Sequence, residues 1–451
     1  MSQSICLYLH LHQPWRLSPS RRSAPPADWW HGPENSQGNE AVFRKVAAKS
    51  YLPTLEILLS QLQAGEITLT LSITGTLLEQ CLAYPEYGAP VLSLLQRMVA
   101  TGRLELLAET YYHSLSYLYS PALFITQVRQ HVRALQQHFG VTPQVFRHTE
   151  LLYRDDLSTL VRAMGFAGIM AEGWHTALPD PHATRVRSAH LVPLEPAVQA
   201  LAEAFRREVF PQQSVATDYG VLTKHYRLSD DIAFRFSHQP LTSEQFAHRV
   251  QQTWGESVNI CMDFETFGEH QWEDTGIFAF LQHLPAACRA EGISFRTATE
   301  TLRAFPRYGS YRADDWVSWA DTERDLSAWR DNQMQHDALA VLAELEQRLR
   351  ALQTARPDLN WTPQWEKLGR LSTSDHVYYM STKYFSDGDV HTYFSPYKDP
   401  YEAYVYFRHA SDGFAQSLRA IAPPPLPTVK PRPLSTAKRW IQRFFGNDTA
   451  V

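Results

Sequence analysis

Through the first 300 residues, short apolar or alternating segments are separated by longer stretches whose apolar positions recur every three or four residues. This rhythm predicts parallel βα units. Seven segments have strand character: Ile5 to His10, Ile67 to Ile73, Leu104 to Ala108, Val145 to Arg147, Gly168 to Ala171, Ile232 to Ser237 and Val258 to Asp263. Weaker strand patterns lie at Leu191 to Leu194 and Ser294 to Arg296. The helical period covers Val42 to Leu62, Phe124 to Phe139, Asp156 to Met164 and Gly276 to Ala290. After about residue 300 only that period survives, as in Leu339, Leu342, Leu345, Leu349 and Leu352, with further helices predicted over Gln364 to Lys383 and Tyr401 to Leu418.

Periodicity alone does not choose between an open doubly wound sheet and a closed barrel. The polar residues help to choose. His10 and His12, Thr74 to Glu79, Glu109 to His113, Glu150, Glu172, and Asp263 to His270 all stand at the C-terminal ends of predicted strands, the arrangement from which barrel active sites are assembled. The expected organisation is a barrel over residues 1–300, a helical bundle over 301–421, and a Pro-rich linker with a basic amphipathic tail over 422–451. In that tail Trp440, Ile441, Phe444 and Phe445 share a helical face, a pattern suited to weak docking by residues 434–446.

Composition removes several classes of function. The 451-residue chain has a formal net charge of -5, which disfavours nucleic acid as a partner. Its four cysteines are widely spaced and read as reduced core thiols. No apolar run approaches a membrane span, and MSQSICLYLHLHQPW reads as a strand instead of a secretory signal, so a cytoplasmic location is expected.

Three clusters could carry chemistry. In LYLHLHQPW, His10 and His12 share one strand face, which suits substrate contact, metal ligation or a polar structural pocket. VFRHTELLY puts Glu150 beside apolar neighbours that limit its hydration, although one glutamate in such a setting also suits a helix start. NICMDFETFGEHQW sets Asp263, Glu265, Glu269 and His270 within eight residues, where like charges raise one another's pKa. Glu150 and Asp263 therefore supply the two carboxyl groups that glycoside hydrolysis requires. Loop aromatics such as Trp174 and Trp272 offer flat faces for sugar rings, or ordinary core.

Together LHLHQP, FRHTELLY, MDFETFGEHQ and SDHVYYMSTK resemble, in order, the motifs of glycoside hydrolase family 57, and of its α-amylase-like branch in particular. The resemblance implies an incomplete seven-stranded (β/α)7 barrel followed by a helical domain that completes the site. It implies a retaining enzyme for α-1,4-glucans or malto-oligosaccharides with no cofactor and no metal, Glu150 being nucleophile and Asp263 acid/base. His10, His12, Glu79, Glu265, Asp375 and His376 are implied as sugar contacts; placement in the sequence adds Trp174 and His270. Two positions depart from the family pattern: His148 stands where Asn is expected, and Phe264 where Tyr is common. Three alternatives remain at this point: a 4-α-glucanotransferase on the same site, a metal-dependent hydrolase or deacetylase built on His10, His12, His113 and a carboxylate, and a non-catalytic glucan-binding protein.

Overall fold

Alternation in the first strand separates two cores. In β1 (Ser4–Leu11), Ile5, Leu7, Leu9 and Leu11 pack outward against helices, while Cys6 and Tyr8 join a second cluster with Leu107, Val145, Met170, Leu222 and Cys261. A cluster fed by so many different strands is the interior of a barrel. The remaining strands of the computed structural model are β2 (Leu69–Ile73), β3 (Leu104–Leu106), β4 (Val145–Arg147), β5 (Gly168–Glu172), β6 (Gly220–Lys224) and β7 (Ser257–Asp263). The structure describes residues 3–18, 29–30, 38–174, 177–178, 183–383 and 395–421. The tail at 434–446 lies outside them.

All seven strands are parallel, in the order β4-β5-β6-β7-β1-β2-β3. The barrel is incomplete. Between β3 and β4 only the isolated bridge Ala108↔Phe146 closes the wall, and β6 meets β7 through the single pair Asn259↔Lys224. The register of β1 on β7 sets His10 beside Asp263, so the first and last strands deliver their polar ends together.

One predicted strand is wrong. Ile232 to Ser237 lies at the end of a helix, Tyr226–Ala233, and the true sixth strand is Gly220–Lys224. The apparent alternation of Ile232, Phe234 and Phe236 misleads because Phe234 is exposed, while Leu228, Ile232 and Phe236 are buried at helical spacing. Of the weaker patterns, Ser294–Phe295 pairs with β1, whereas Leu191 to Leu194 is no strand and Arg187–Ala189 instead runs antiparallel to β6. The single helix expected over Val42 to Leu62 is two, Asn39–Val46 and Leu52–Gln63, joined by a π-helical turn at Ala47–Tyr51. Pro53 has no N–H to continue the ladder back to Lys49. Helices Gly75–Ala83, Pro85–Ala100, Pro196–Val209 and Ser243–Gln251 were not anticipated.

Beyond the barrel, helices Gln333–Ala355, Thr362–Leu371 and Pro400–Ile421 bury one face each around Leu342, Leu349, Phe407 and Phe414. The segment before them crosses the barrel mouth, where Tyr153 and Val317 exchange backbone hydrogen bonds of 2.8 and 3.0 Å. No helix among the described residues is long and apolar enough to cross a membrane.

Candidate active site

The turn after β4 holds Glu150 in an unusual conformation. Both Glu150 (φ 57°) and Leu151 (φ 48°) are left-handed, a region that costs a non-glycine residue of order 1 kcal/mol. Several contacts impose it. Leu151 is fully buried, and the Glu150 carbonyl accepts from Trp319 N at 3.1 Å and Ser318 Oγ at 3.0 Å. This aims the carboxyl at a cluster of donors: His113 Nε2 lies 2.8 Å from Oε1, and Trp319 Nε1 donates to Oε2 at 2.7 Å. About a quarter of the side chain (23%) stays open to solvent.

Beneath Glu150 sits a buried charge. Arg147, at the end of β4, has no exposure and pairs at 3.2 Å with the equally buried Glu109. Its guanidinium and the indole of Lys224-flanked Trp319 stack at 5.6 Å, with the Lys224 ammonium 5.1 Å from the same ring. Lys224 belongs to a further network in which Arg324 binds Glu172 at 2.7 Å and Asp230 at 2.8 Å. Trp319 is thus fixed by cations on both strands it covers. Burial raises the pKa of Glu150, and the Arg147 charge and the Trp319 hydrogen bond oppose that rise.

Asp263, at the end of β7, has a different environment. Among the described residues no protein donor is hydrogen-bonded to its carboxyl. Its pKa is raised by burial and by the Glu150 charge, against the opposing influence of His270. Glu265 is also pushed up, to about 8, first by burial and then by Asp263, and it accepts a hydrogen bond from the buried hydroxyl of Tyr51. A carboxyl with an ordinary value of 4.5 that titrates near 8 in the fold keeps its proton there and releases it on unfolding. Stability conferred by that proton is complete below about pH 4.5 and falls as pH rises toward 8. Glu265→Gln, which cannot ionise, is expected to flatten the decline of Tm between about pH 5 and 8; parallel Tm profiles for variant and wild type would contradict this.

His10 points into the barrel with its Nδ1 2.8 Å from Ser72 Oγ. His12, one step beyond the strand, is 3.0 Å from Thr74 Oγ1 and, through Nε2, 3.0 Å from Asp375 Oδ2. That last contact ties the barrel to the helical region. Burial disfavours a charged His12, but Asp375 outweighs it and the pKa ends above the ordinary value; Asp375 is correspondingly held far below the carboxylate range despite its burial. Removing the counter-charge in Asp375→Asn is expected to lower the His12 pKa, seen by NMR titration, and to cost about 10- to 100-fold in kcat/KM. An unchanged His12 titration would show that the pair does not set its charge.

His10, His12 and His113 form the metal-capable group found among the described residues, with ligand atoms within 4.8 Å of one another. They fit an ion poorly. The rings lie face to face, at interplanar angles of 11° to 26°, whereas ligands of one ion aim their in-plane lone pairs at a common centre. Both ring nitrogens of His12 and of His113 also have protein partners already.

The other expected residues divide into near and far. His270 lies within electrostatic reach of Asp263. Trp174, beyond β5, packs edge-on against Tyr226 at 5.8 Å. Glu79 accepts from Trp15 Nε1 at 2.8 Å and from Arg370 Nε at 2.9 Å, joining barrel to helices. His376 is buried between Trp30 and Phe407, with Nε2 3.1 Å from the Arg370 carbonyl, so it braces the helical region. Of the two departures, His148 stacks on Phe124 and burial lowers its pKa to about 3, while Phe264 is wholly buried in the outer core. Trp319, Arg147 and Tyr51 had no assigned role from sequence, and Glu109 stood only among the polar strand-end residues. Arg147 left a signal, a charge at an inward strand position; Trp319 left none.

A family profile described as "Glycosyl hydrolase family 57" matches residues 6–314. The chain is 34% identical over 411 residues to a Methanocaldococcus jannaschii protein named "Putative alpha-amylase", covering 89% of this chain and 82% of that one. Among solved structures, the GH57 branching enzyme of Thermococcus kodakaraensis superposes with a TM-score of 0.63 at 13% identity, over 98% of this chain and 94% of that one. The 4-alpha-glucanotransferase of Thermococcus litoralis gives a TM-score of 0.57 at 15% identity; the match covers 84% of this chain but 56% of that longer one.

Proposed function

Because the chain belongs to glycosyl hydrolase family 57, we propose that it cleaves α-1,4-glucans with retention, Glu150 acting as nucleophile and Asp263 as general acid/base. One observation carries the reading: two buried carboxyl groups at the ends of β4 and β7 lie within electrostatic reach of each other and differ in their hydrogen bonds. Burial raises the pKa of both, but at Glu150 the Arg147 charge and the Trp319 hydrogen bond oppose the rise and hold the carboxyl in place, whereas Asp263 accepts no hydrogen bond among the described residues and feels the Glu150 charge, which adds to the effect of burial against that of His270. In the first step the Glu150 carboxylate attacks the anomeric carbon while Asp263 gives its proton to the departing glycosidic oxygen. In the second, Asp263 takes a proton from the arriving hydroxyl, which displaces Glu150 from the same face the leaving group left. His10, His12, Glu265 and Asp375, which the family resemblance marks as sugar contacts, suit hydrogen bonds to sugar hydroxyls.

The acceptor decides between hydrolysis and glucanotransfer: water gives maltodextrins shorter than the substrate, a second sugar gives longer ones as well. Incubation of the enzyme with maltoheptaose, resolving products by length and anomer, tests the reading. Newly formed α-anomers support it, and their lengths assign hydrolase or transferase. β-anomeric products, or activity abolished by chelator, would overturn it.

A further inference from the structure

On the outer wall of the barrel, away from the carboxyl pair, a groove of about 900 Å³ runs between the helix that follows β1 and the helix Ile277–Ala290 that follows β7. Its upper end is capped by Trp272, which is 57% exposed. We propose that this groove is a secondary binding site for an α-glucan chain, with Trp272 as the stacking platform; the proposal rests on the α-glucan reading of the active site.

Three features point to a neutral polyhydroxylated ligand. An indole lying open beside a groove is costly to hydrate and offers a flat face matching the apolar C–H face of a pyranose. Lys49, 5.5 Å from the ring centroid, helps hold the indole in place through a cation–π contact. Around the platform the side chains of Glu56, Glu273, Asp274 and Gln282 make no hydrogen bond or ion pair among the described residues, so their oxygens and amide are available to sugar hydroxyls. A groove of about 900 Å³ falls in the size range of small-molecule binding clefts.

The groove also has a built floor. Gly268 (φ 101°) lies so close to the Lys49 carbonyl that a Cβ there would come within 2.0 Å of it, and that carbonyl is the one Pro53 cannot bond. The loop is thereby clamped to the π-helical turn Ala47–Tyr51, whose Tyr51 reaches Glu265. Trp272 follows Asp263, the last residue of β7, by nine residues, with the clamped Gly268 between them in sequence. A polymer held in the groove would be anchored near the active site without occupying it, which raises its local concentration there.

The test uses the full chain in the Glu150→Gln background, so that binding is read without turnover. Retardation in native gels containing amylopectin is expected for the parent and to weaken about tenfold in Trp272→Ala, with Trp272→Tyr restoring most of it. Glu56→Ala combined with Gln282→Ala, changes on helices remote from Asp263, should weaken retardation as well. In the active background, Trp272→Ala should raise KM for amylopectin several-fold and leave kcat/KM for maltotetraose within twofold. Unchanged retardation in Trp272→Ala, no retardation of the parent, or equal losses on polymer and oligosaccharide would each overturn the site. Trp272-dependent retardation by a wild type that turns over no glucan would leave the site standing and sink the catalytic reading.

Discussion

Glu150→Gln is expected to slow maltoheptaose turnover by about four orders of magnitude or more, with binding of the substrate changed only a few-fold. The substitution keeps the shape of the side chain, and its amide oxygen still accepts from Trp319 Nε1, so the strained turn and the fold should survive. What disappears is the anion that, in the proposed mechanism, attacks carbon. Asp263→Asn should fail differently. It loses the proton that the departing oxygen requires, a contribution of about 10²- to 10⁴-fold, but an α-maltosyl fluoride needs little such help. With that substrate Asp263→Asn should regain most of its first-step rate, while Glu150→Gln regains none. Equal behaviour of the two variants on both substrates would refute the division of roles.

Trp319→Phe should lower kcat by about 10- to 100-fold, the cost of losing one hydrogen bond to a charged group. The indole N–H bonds Glu150 Oε2 at 2.7 Å and favours its ionised form. Without it the Glu150 pKa rises, so the acidic limb of the kcat/KM profile must move to higher pH. Phenylalanine preserves the ring between Arg147 and Lys224, so packing is largely retained. A lower rate with an unmoved acidic limb would mean that Trp319 only fills space.

The parts of this site that are local in sequence were legible there. His10 and His12 alternate with leucines, and Asp263 ends a strand dense with following carboxylates, so strand geometry alone sets them at one face. Six of the strands were read for the same reason, being apolar segments bounded by helices. The sixth in order was not: Gly220–Lys224 has few apolar residues and is buried on both faces, while the nearby Tyr226–Ala233 helix imitates an alternating strand at its end. The donors to Glu150 were hidden for another reason. His113 and Trp319 reach it across 37 and 169 residues, and nothing in DDWVSWAD distinguishes a tryptophan that buttresses a carboxylate from one that fills a core. His376 shows the converse, since a place in a recognisable motif puts it beside Asp375 in sequence but leaves its ring between Trp30 and Phe407.

The covalent step is the centre of the account, and 5-fluoro-α-glucosyl fluoride tests it directly, because such a sugar enters the first displacement quickly and leaves the second slowly. After brief reaction and proteolysis, mass spectrometry should find one hexosyl adduct on the peptide containing Glu150, absent from Glu150→Gln and released again when maltotriose is added as acceptor. An adduct on Asp263 or another residue, or steady release of fluoride with no adduct on any peptide, would contradict it.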